Sequence, residues 1–430
     1  MLFSILYEIG LVLGALISLP KFLYLLIFRN KYRNSLFKRF GAGFPSIKKG
    51  KRKLVWIHAV SLGETKAVAA LAKVLKNDLN HPIIVFSTST ETGYVEACRA
   101  VSADYHVYLP FDFRLVIGPI VRRVCPDLVV LCESDFWYNF LSVSKQVGAK
   151  VIVVNGKIST KSVERYQQFP SYRDVIFNNI DLFCVQSQLY RARFESLGID
   201  PKKIMVTGNM KFDGDYNRLA SEQLQQWRGE LGIAPEDRVL VIGSSHNPEE
   251  VQLLKAMNPV WEKHPNLKVV LVPRHPERFN EVAGILQKHQ LNYRRLSQKQ
   301  PEGFPVKVIL IDAMGLLRKC YQLADVAIVA GSYTSKVGGH NILEPSWYGV
   351  PVVFGPHMFS QPDLVDLVME YGAGLQVPLE DLSRVIIGLF EDEKMRNTLG
   401  QGGLKLAKDV HGATKKTVTL IKDCCENKIV

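Results

Sequence analysis

The sequence predicts an α/β protein: two doubly wound parallel-sheet domains of similar size facing a cleft, behind an apolar N-terminal helix. Three observations predict it. From Leu54 onward, short apolar runs bounded by turn residues alternate with helical stretches, the pattern of parallel strands covered by helices. A polar stretch, Asn217 to Asp237, interrupts that alternation once, and a second series follows. A chain of 430 residues has room for two or three separate cores.

The first element is apolar from Leu2 to Phe28, broken only by Glu8 and by Pro20-Lys21. The eighteen residues Leu2 to Leu19 lie near the lower limit for a helix that spans a bilayer. Residues 1–53 carry eleven Lys or Arg against Glu8 alone, so this arm holds +10 of the net charge of +13. Positive charge after an apolar run keeps that flank on the cytoplasmic side and attracts anionic lipid. A cleaved signal would carry its charge before the run. Glu8 keeps an interfacial helix open beside a spanning one. Residues 1–28 are therefore assigned to a membrane anchor and 29–53 to a basic juxtamembrane arm. A nucleic-acid binder would spread basic charge over a folded face with stacking aromatics, so that class is disfavoured. The seven cysteines include no CxxC pair, which fits a reducing compartment.

Residues 54–216 form the first domain. Its strands are Leu54 to Ile57, Ile83 to Ser87, Leu128 to Leu131, Val151 to Val154, Asp181 to Val185 and Ile204 to Thr207, with helices from Glu64 to about Leu79 and Glu91 to Ala100. Residues 217–430 form the second, with strands Val239 to Gly243, Lys268 to Val272, Val308 to Ile311, Val326 to Ala330 and Val350 to Phe354. The last stretch, Lys394 to Val430, is helical and is free to pack back on either domain.

Sheets of this kind bind ligands at the carboxyl ends of their strands, and the polar motifs fall there. His58-Ala-Val-Ser-Leu-Gly-Glu64 follows the first strand. Glu64 reads either as a general base with a raised pKa or as a first-turn acid at a helix dipole. His58 reads first as a packed structural residue. Glu133-Ser-Asp135-Phe-Trp137-Tyr-Asn139 puts two carboxylates two residues apart at a strand end, which suits a cationic partner or polar ligand, or else a solvated loop anchored by Trp137. Lys211, in Thr207-Gly-Asn209-Met-Lys211-Phe-Asp213, offers a cation to an anionic group or is a surface lysine.

In the second domain, Gly243-Ser-Ser-His246 resembles an anion-binding turn. Arg274 follows a strand with a planar donor fork for phosphate or a nucleobase carbonyl. Asp312-Ala-Met314-Gly315 places a glycine where backbone can meet a base or sugar. Gly338-Gly-His340-Asn341-Ile-Leu-Glu344-Pro345 reads as a phosphate-cradling loop whose carboxylate takes ribose hydroxyls, or as a glycine-rich loop with a capped helix. These loops and Arg274 all sit at strand ends of one domain, which makes a nucleotide pocket the economical reading.

Together the motifs resemble a known family, the 3-deoxy-D-manno-octulosonic acid (Kdo) transferases, membrane-associated GT-B glycosyltransferases of lipopolysaccharide assembly. The resemblance covers nearly the whole chain: anchor, HAVSLGE, ESDFWYN, TGNMKFD, GSSH, PRHPERF, DAMG and GGHNILEP, in the family order. It implies two Rossmann-like domains, CMP-Kdo as donor, a lipid A precursor as acceptor, and a place on the cytoplasmic face of a bacterial inner membrane. The family's catalytic base corresponds to Glu64 and its transition-state groups to Asp135 and Lys211. Its CMP contacts correspond to Pro273, Arg274, Met314, Gly315, Leu316, Asn341, Ile342, Leu343 and Glu344. No cofactor or bound metal is implied. The chain departs from the family pattern at Asp135 (usually Glu), Tyr138 (usually Pro) and Leu316 (usually acidic). Other nucleotide-sugar transferases, a sugar-nucleotide epimerase, or an inactive glycolipid- or nucleotide-binding protein are the alternative readings; an epimerase has no need of the anchor.

Overall fold

The structure is a computed structural model that describes residues 2–28, 32–33, 35–213, 217–298 and 306–428. Arg29 and Lys31 of the basic arm, and residues 214–216 at the expected domain boundary, lie outside them. The chain forms two compact units, residues 1–213 with 410–430, and residues 214–409.

The first unit holds seven parallel strands: β1 Leu54–Ala59, β2 Ile83–Thr88, β3 Tyr105–Tyr108, β4 Leu128–Cys132, β5 Lys150–Gly156, β6 Leu182–Val185 and β7 Ile204–Val206. They lie in the order β3-β2-β1-β4-β5-β6-β7. All six residues of β1 are buried, because helices cover both sheet faces and leave no polar side to alternate with. Successive β1 residues still point to opposite faces. Leu54 and Trp56 join one core with Val129 and Val151, while Val55 and Ile57 join another with Val130 and Ile152.

The second unit repeats the plan with β8 Arg238–Ser245, β9 Leu267–Pro273, β10 Tyr293–Arg295, β11 Val308–Leu310, β12 Val326–Val329, β13 Val352–Phe354 and β14 Gly374–Gln376, ordered β10-β11-β9-β8-β12-β13-β14. Each sheet therefore has one switch point where strand order reverses, between β1 and β4 and between β8 and β12. Crevices at such points receive ligands.

The apolar runs named from sequence became strands, with ends moved by a few residues. β3, β10 and β14 were not anticipated. They are short, β3 and β10 start on partly exposed residues, and all three occupy sheet edges or near-edges where no continuous apolar run is needed.

The carboxyl-terminal stretch forms two helices, Glu393–Val410 and Ala413–Cys425. The second packs against the helix Leu62–Asp78 and β5 of the first unit, burying Val418, Ile421 and Cys424 in its core. Asp213 fixes its start by accepting from the backbone N–H groups of Gly412 (2.7 Å), Ala413 (3.1 Å) and Thr414, orphan donors that every helix start must place.

The N-terminal helix is unbroken from Leu2 to Phe28, about 40 Å long, and by length and composition apolar enough to cross a membrane. Its first turns dock on the first unit. The Tyr7 hydroxyl donates to Asp112 (2.8 Å), Phe3 packs edge-on to Tyr138 at 5.0 Å, and Glu8 accepts from Arg114 N–H (3.0 Å) and Asn139 Nδ2 (2.6 Å). Glu8, the acid that interrupts the apolar run, is thus the fastening of the helix to its domain. The chain just beyond the helix docks on the same unit. Ser35 Oγ donates to Glu91 (3.2 Å), Phe111 N–H to the Arg39 carbonyl (2.7 Å), and the rings of Phe40 and Phe111 meet at 5.0 Å.

Candidate active site

In the first unit the polar motifs converge on the switch point. Glu64 stands in the first turn of the helix Leu62–Asp78, whose N-cap is Ser61. Ser61 Oγ accepts from Glu64 N–H (3.3 Å), and the Glu64 carboxylate reaches back to Val60 N–H (2.9 Å) and Ser61 Oγ (3.0 Å), a reciprocal cap. The first-turn capping reading of Glu64 is thus borne out. Burial raises its pKa above the ordinary range, the Val60 N–H partly offsets this, and the neighbouring Glu133 charge pushes it up again. A carboxylate so raised is a better proton acceptor.

The loop after β4 separates its two acids. Glu133 is buried, with a left-handed backbone (φ 62°) uncommon for a non-glycine residue. Its oxygens meet Lys157 Nζ and Lys211 Nζ, each at 2.7 Å. Burial alone would raise its pKa, but Lys211 and Lys157 outweigh that and hold it below the usual value. Two ammonium groups against one carboxylate leave the cluster with a net positive charge. Lys211 is aimed there by its own loop: Asn209 Oδ1 accepts from Lys211 N–H (3.0 Å), and Asn155 Oδ1 accepts from Met210 N–H (3.0 Å). Lys157, at the end of β5, was not singled out from sequence. The signal was its place directly after a buried strand, the criterion that found Lys211.

Asp135 is half-buried and accepts from His58 Nε2 (3.0 Å) and Trp137 Nε1 (2.5 Å). His58 is fully buried in β1, and its Nδ1 lies 2.9 Å from Ser87 Oγ. An ionised Asp135 requires the proton on Nε2, so Ser87 fixes the ring and the ring fixes Asp135. The reading of His58 as a packed, hydrogen-bonded residue is borne out.

The second unit gathers its motifs at its own switch point. His246, after β8, and His340, after β12, meet Nε2 to Nε2 at 2.7 Å with stacked rings. Burial, then neighbouring histidines and Arg274, push both down to about 4, so both are neutral near pH 7 and one N–H donates to the other nitrogen. Gly243 to Ser245 continue β8, and the helix begins only at Glu249. The buried Glu249 carboxylate accepts from His246 N–H (2.8 Å), Gly331 N–H (2.6 Å) and Tyr333 N–H (3.3 Å). Backbone donors read from sequence as awaiting an external anion thus include one, His246 N–H, that the chain satisfies itself.

Pro273 ends β9 and is buried, while Arg274 is exposed and its N–H donates to the Ser245 carbonyl (3.1 Å). Asp312 is tied to Arg295 (2.8 Å) and Ser297 N–H (2.9 Å). Beyond it Met314 is exposed, Gly315 has φ 85°, and Leu316 precedes the helix Leu317–Tyr321. Asn341 Oδ1 caps Leu343 N–H (3.0 Å), Ile342 and Leu343 are fully buried, and Glu344 lies 3.5 Å from Arg318. Burial raises the Glu344 carboxyl, partly offset by Arg318. Gly338 and Gly339 both have left-handed φ, and a Cβ would strike Phe359 and Ser360 at 2.5 Å or Met358 Sδ at 2.2 Å. Packing against that loop is sufficient reason for both glycines.

Residues 34–214 match the family described as 3-Deoxy-D-manno-octulosonic-acid transferase (kdotransferase), and residues 225–406 that described as Glycosyl transferases group 1. The 3-deoxy-D-manno-octulosonic acid transferase of Chlamydophila psittaci is 35% identical over 406 residues, 94% of this chain and 92% of its own. The chain belongs to the Kdo transferase family. The Haemophilus influenzae member is 31% identical over 93% of both chains. Among solved structures, UDP-GlcNAc 2-epimerase from Neisseria meningitidis aligns with a TM-score of 0.58 over 86% of this chain and all of its own, at 14% identity. That likeness shows the GT-B-type fold alone. As a Kdo transferase family member, the protein is a glycosyltransferase, and each of its two units carries strand-end polar clusters.

Proposed function

We propose that this glycosyltransferase moves Kdo from CMP-Kdo to a lipid A precursor, in lipopolysaccharide synthesis at the cytoplasmic face of the bacterial inner membrane, by an inverting single displacement. The observation that carries the reading is the meeting of Glu64, Asp135 and Lys211 with their partners around one switch point, in a chain of this family. Glu64 takes the proton from an acceptor hydroxyl as its oxygen attacks the anomeric carbon of Kdo. The bond from that carbon to the CMP phosphate breaks, and CMP departs with the electron pair. The Glu133–Lys157–Lys211 cluster supplies fixed positive charge toward the anionic donor, and Asp135, held by His58 and Trp137, faces the reacting sugar. In the second unit Pro273, Arg274, the Met314–Leu316 turn and Asn341 to Glu344 hold the CMP moiety. No step in this scheme requires a metal ion.

The test is incubation with freshly generated CMP-Kdo and a tetraacylated lipid A precursor, with and without EDTA, followed by mass spectrometry. A mass gain in whole Kdo units, retained in EDTA and lost in Glu64→Ala, is the expected result. Folded wild type that yields no gain overturns the donor or the acceptor assignment.

A further inference from the structure

The N-terminal helix roofs a groove of about 680 Å³ on the first unit, within the ~300–1,000 Å³ of ordinary ligand pockets. Its walls include Gly10, Gly14 and Ser18 of the helix, and Phe40, Phe111 and Trp137 opposite. The roof residues recur every four positions, so one face of the helix runs along the domain through this stretch. The chain on both sides of the groove is fastened to that same domain, at Tyr7 and Glu8 before it and at Ser35 to Phe40 after it. The outer face is large and apolar: Ile9, Leu13, Leu16 and Ile17 are 50%, 54%, 59% and 81% exposed. That face suits contact with lipid, and the face bearing Gly10, Gly14 and Ser18 borders the groove.

Two further features point to the occupant. Arg39 lines the groove, and among the described residues its Nε is buried without a hydrogen-bond partner, although its other end reaches the Ser89 carbonyl. A buried guanidinium N–H left open suits a carbonyl or phosphate oxygen. Trp137 both lines the groove and donates to Asp135 at 2.5 Å. The groove thus runs between an apolar helix and the ring that holds Asp135.

We propose that this groove holds an acyl chain of the lipid acceptor, with Arg39 taking an oxygen of its polar linkage, so that the chain positions the acceptor sugar at Asp135 and Glu64. This rests on the glycolipid acceptor reading above. Gly14 offers a clean test, because a Cβ there meets nothing within 4 Å and leucine is a better helix former than glycine. Gly14→Leu places apolar bulk in the groove from a Cβ position free of contacts.

In detergent micelles, kcat/KM is measured for the tetraacylated acceptor and for its deacylated sugar bisphosphate, with wild-type and Gly14→Leu full chains. The ratio of acylated to deacylated kcat/KM is expected to fall about tenfold in the variant, mainly through KM, since each buried methylene contributes roughly fourfold. An unchanged ratio overturns the proposal. Independently of turnover, an acceptor analogue brominated on its acyl chains should quench the fluorescence component that Trp137→Phe removes, and Gly14→Leu should abolish that quenching. Equal quenching by brominated phosphatidylcholine shows bulk lipid in the groove and overturns the proposal. If wild type glycosylates neither acceptor, the transfer reading falls, and the quenching arm still decides the groove.

Discussion

Glu64 caps its helix and, in the proposed mechanism, also takes the acceptor's proton. It closes the helix cap through Val60 and Ser61, and its raised pKa comes from the same partial burial. Glu64→Gln keeps the shape and most of the cap but cannot accept the proton. We expect kcat to drop by about 10²–10⁴ with little change in KM, measured by initial rates at saturating donor. Because the base acts when deprotonated and its pKa is raised, the acid limb of wild-type kcat should lie above the ordinary glutamate range, activity falling as pH drops through it. Lys157 and Lys211 share Glu133, so their truncations should not add. A double-mutant cycle to methionine should show a coupling of at least about 0.5 kcal/mol in kcat/KM, and simple additivity would separate their roles. Sequence placed Glu64, Asp135 and Lys211 at strand ends because each follows an apolar run. It could not show that Lys211 points at Glu133, or that His58 grips Asp135, since those pairings join strands 77 or 78 residues apart in the chain.

Among the elements, the buried central strands were legible as unbroken apolar runs, whereas β3, β10 and β14 were not, because an edge needs only one packed face. The GGHN segment reads either as a cradle for phosphate or as a glycine-rich loop with a capped helix, and the close packing of Gly338 and Gly339 against Met358 to Ser360 is a property no sequence pattern displays. Glu249 is not legible in the sequence, because its three N–H partners come from two separate loops. Its pKa is pushed up to about 7 by burial, against the pull of those N–H groups. The folded chain therefore holds this proton more tightly than the unfolded chain between about pH 4.5 and 7. Stability should fall as pH rises through that window. Urea unfolding of wild type and Glu249→Gln from pH 5 to 8 should show wild type losing ground to the variant with rising pH, and parallel curves would refute the linkage. Glu249→Ala, which strands buried donors, should cost about 2–4 kcal/mol at pH 5 and less as pH rises toward 7.

On the scale of the whole molecule, the chain leaves the first unit after Asp213 and re-enters it at Val410. Asp213 stands at the exit and grips the three amides that open the returning helix. Asp213→Ala should destabilise the first unit by about 2–3 kcal/mol, seen as lower protection of Gly412 to Thr414 amides in hydrogen exchange. The second unit's amides should exchange as before.

That returning helix changes what counts as a piece of this protein. Anyone dividing the gene at the apparent linker would sever the N-terminal half from a helix that completes its core, exposing Leu71 and Leu75 side chains that Val418 and Ile421 accompany in one buried cluster. The shorter fragment should be sticky and prone to precipitate. A viable excision would instead join the chain near Asp213 to the start of the returning helix, where the Asp213 carboxylate already lies 2.7 Å from Gly412 N–H.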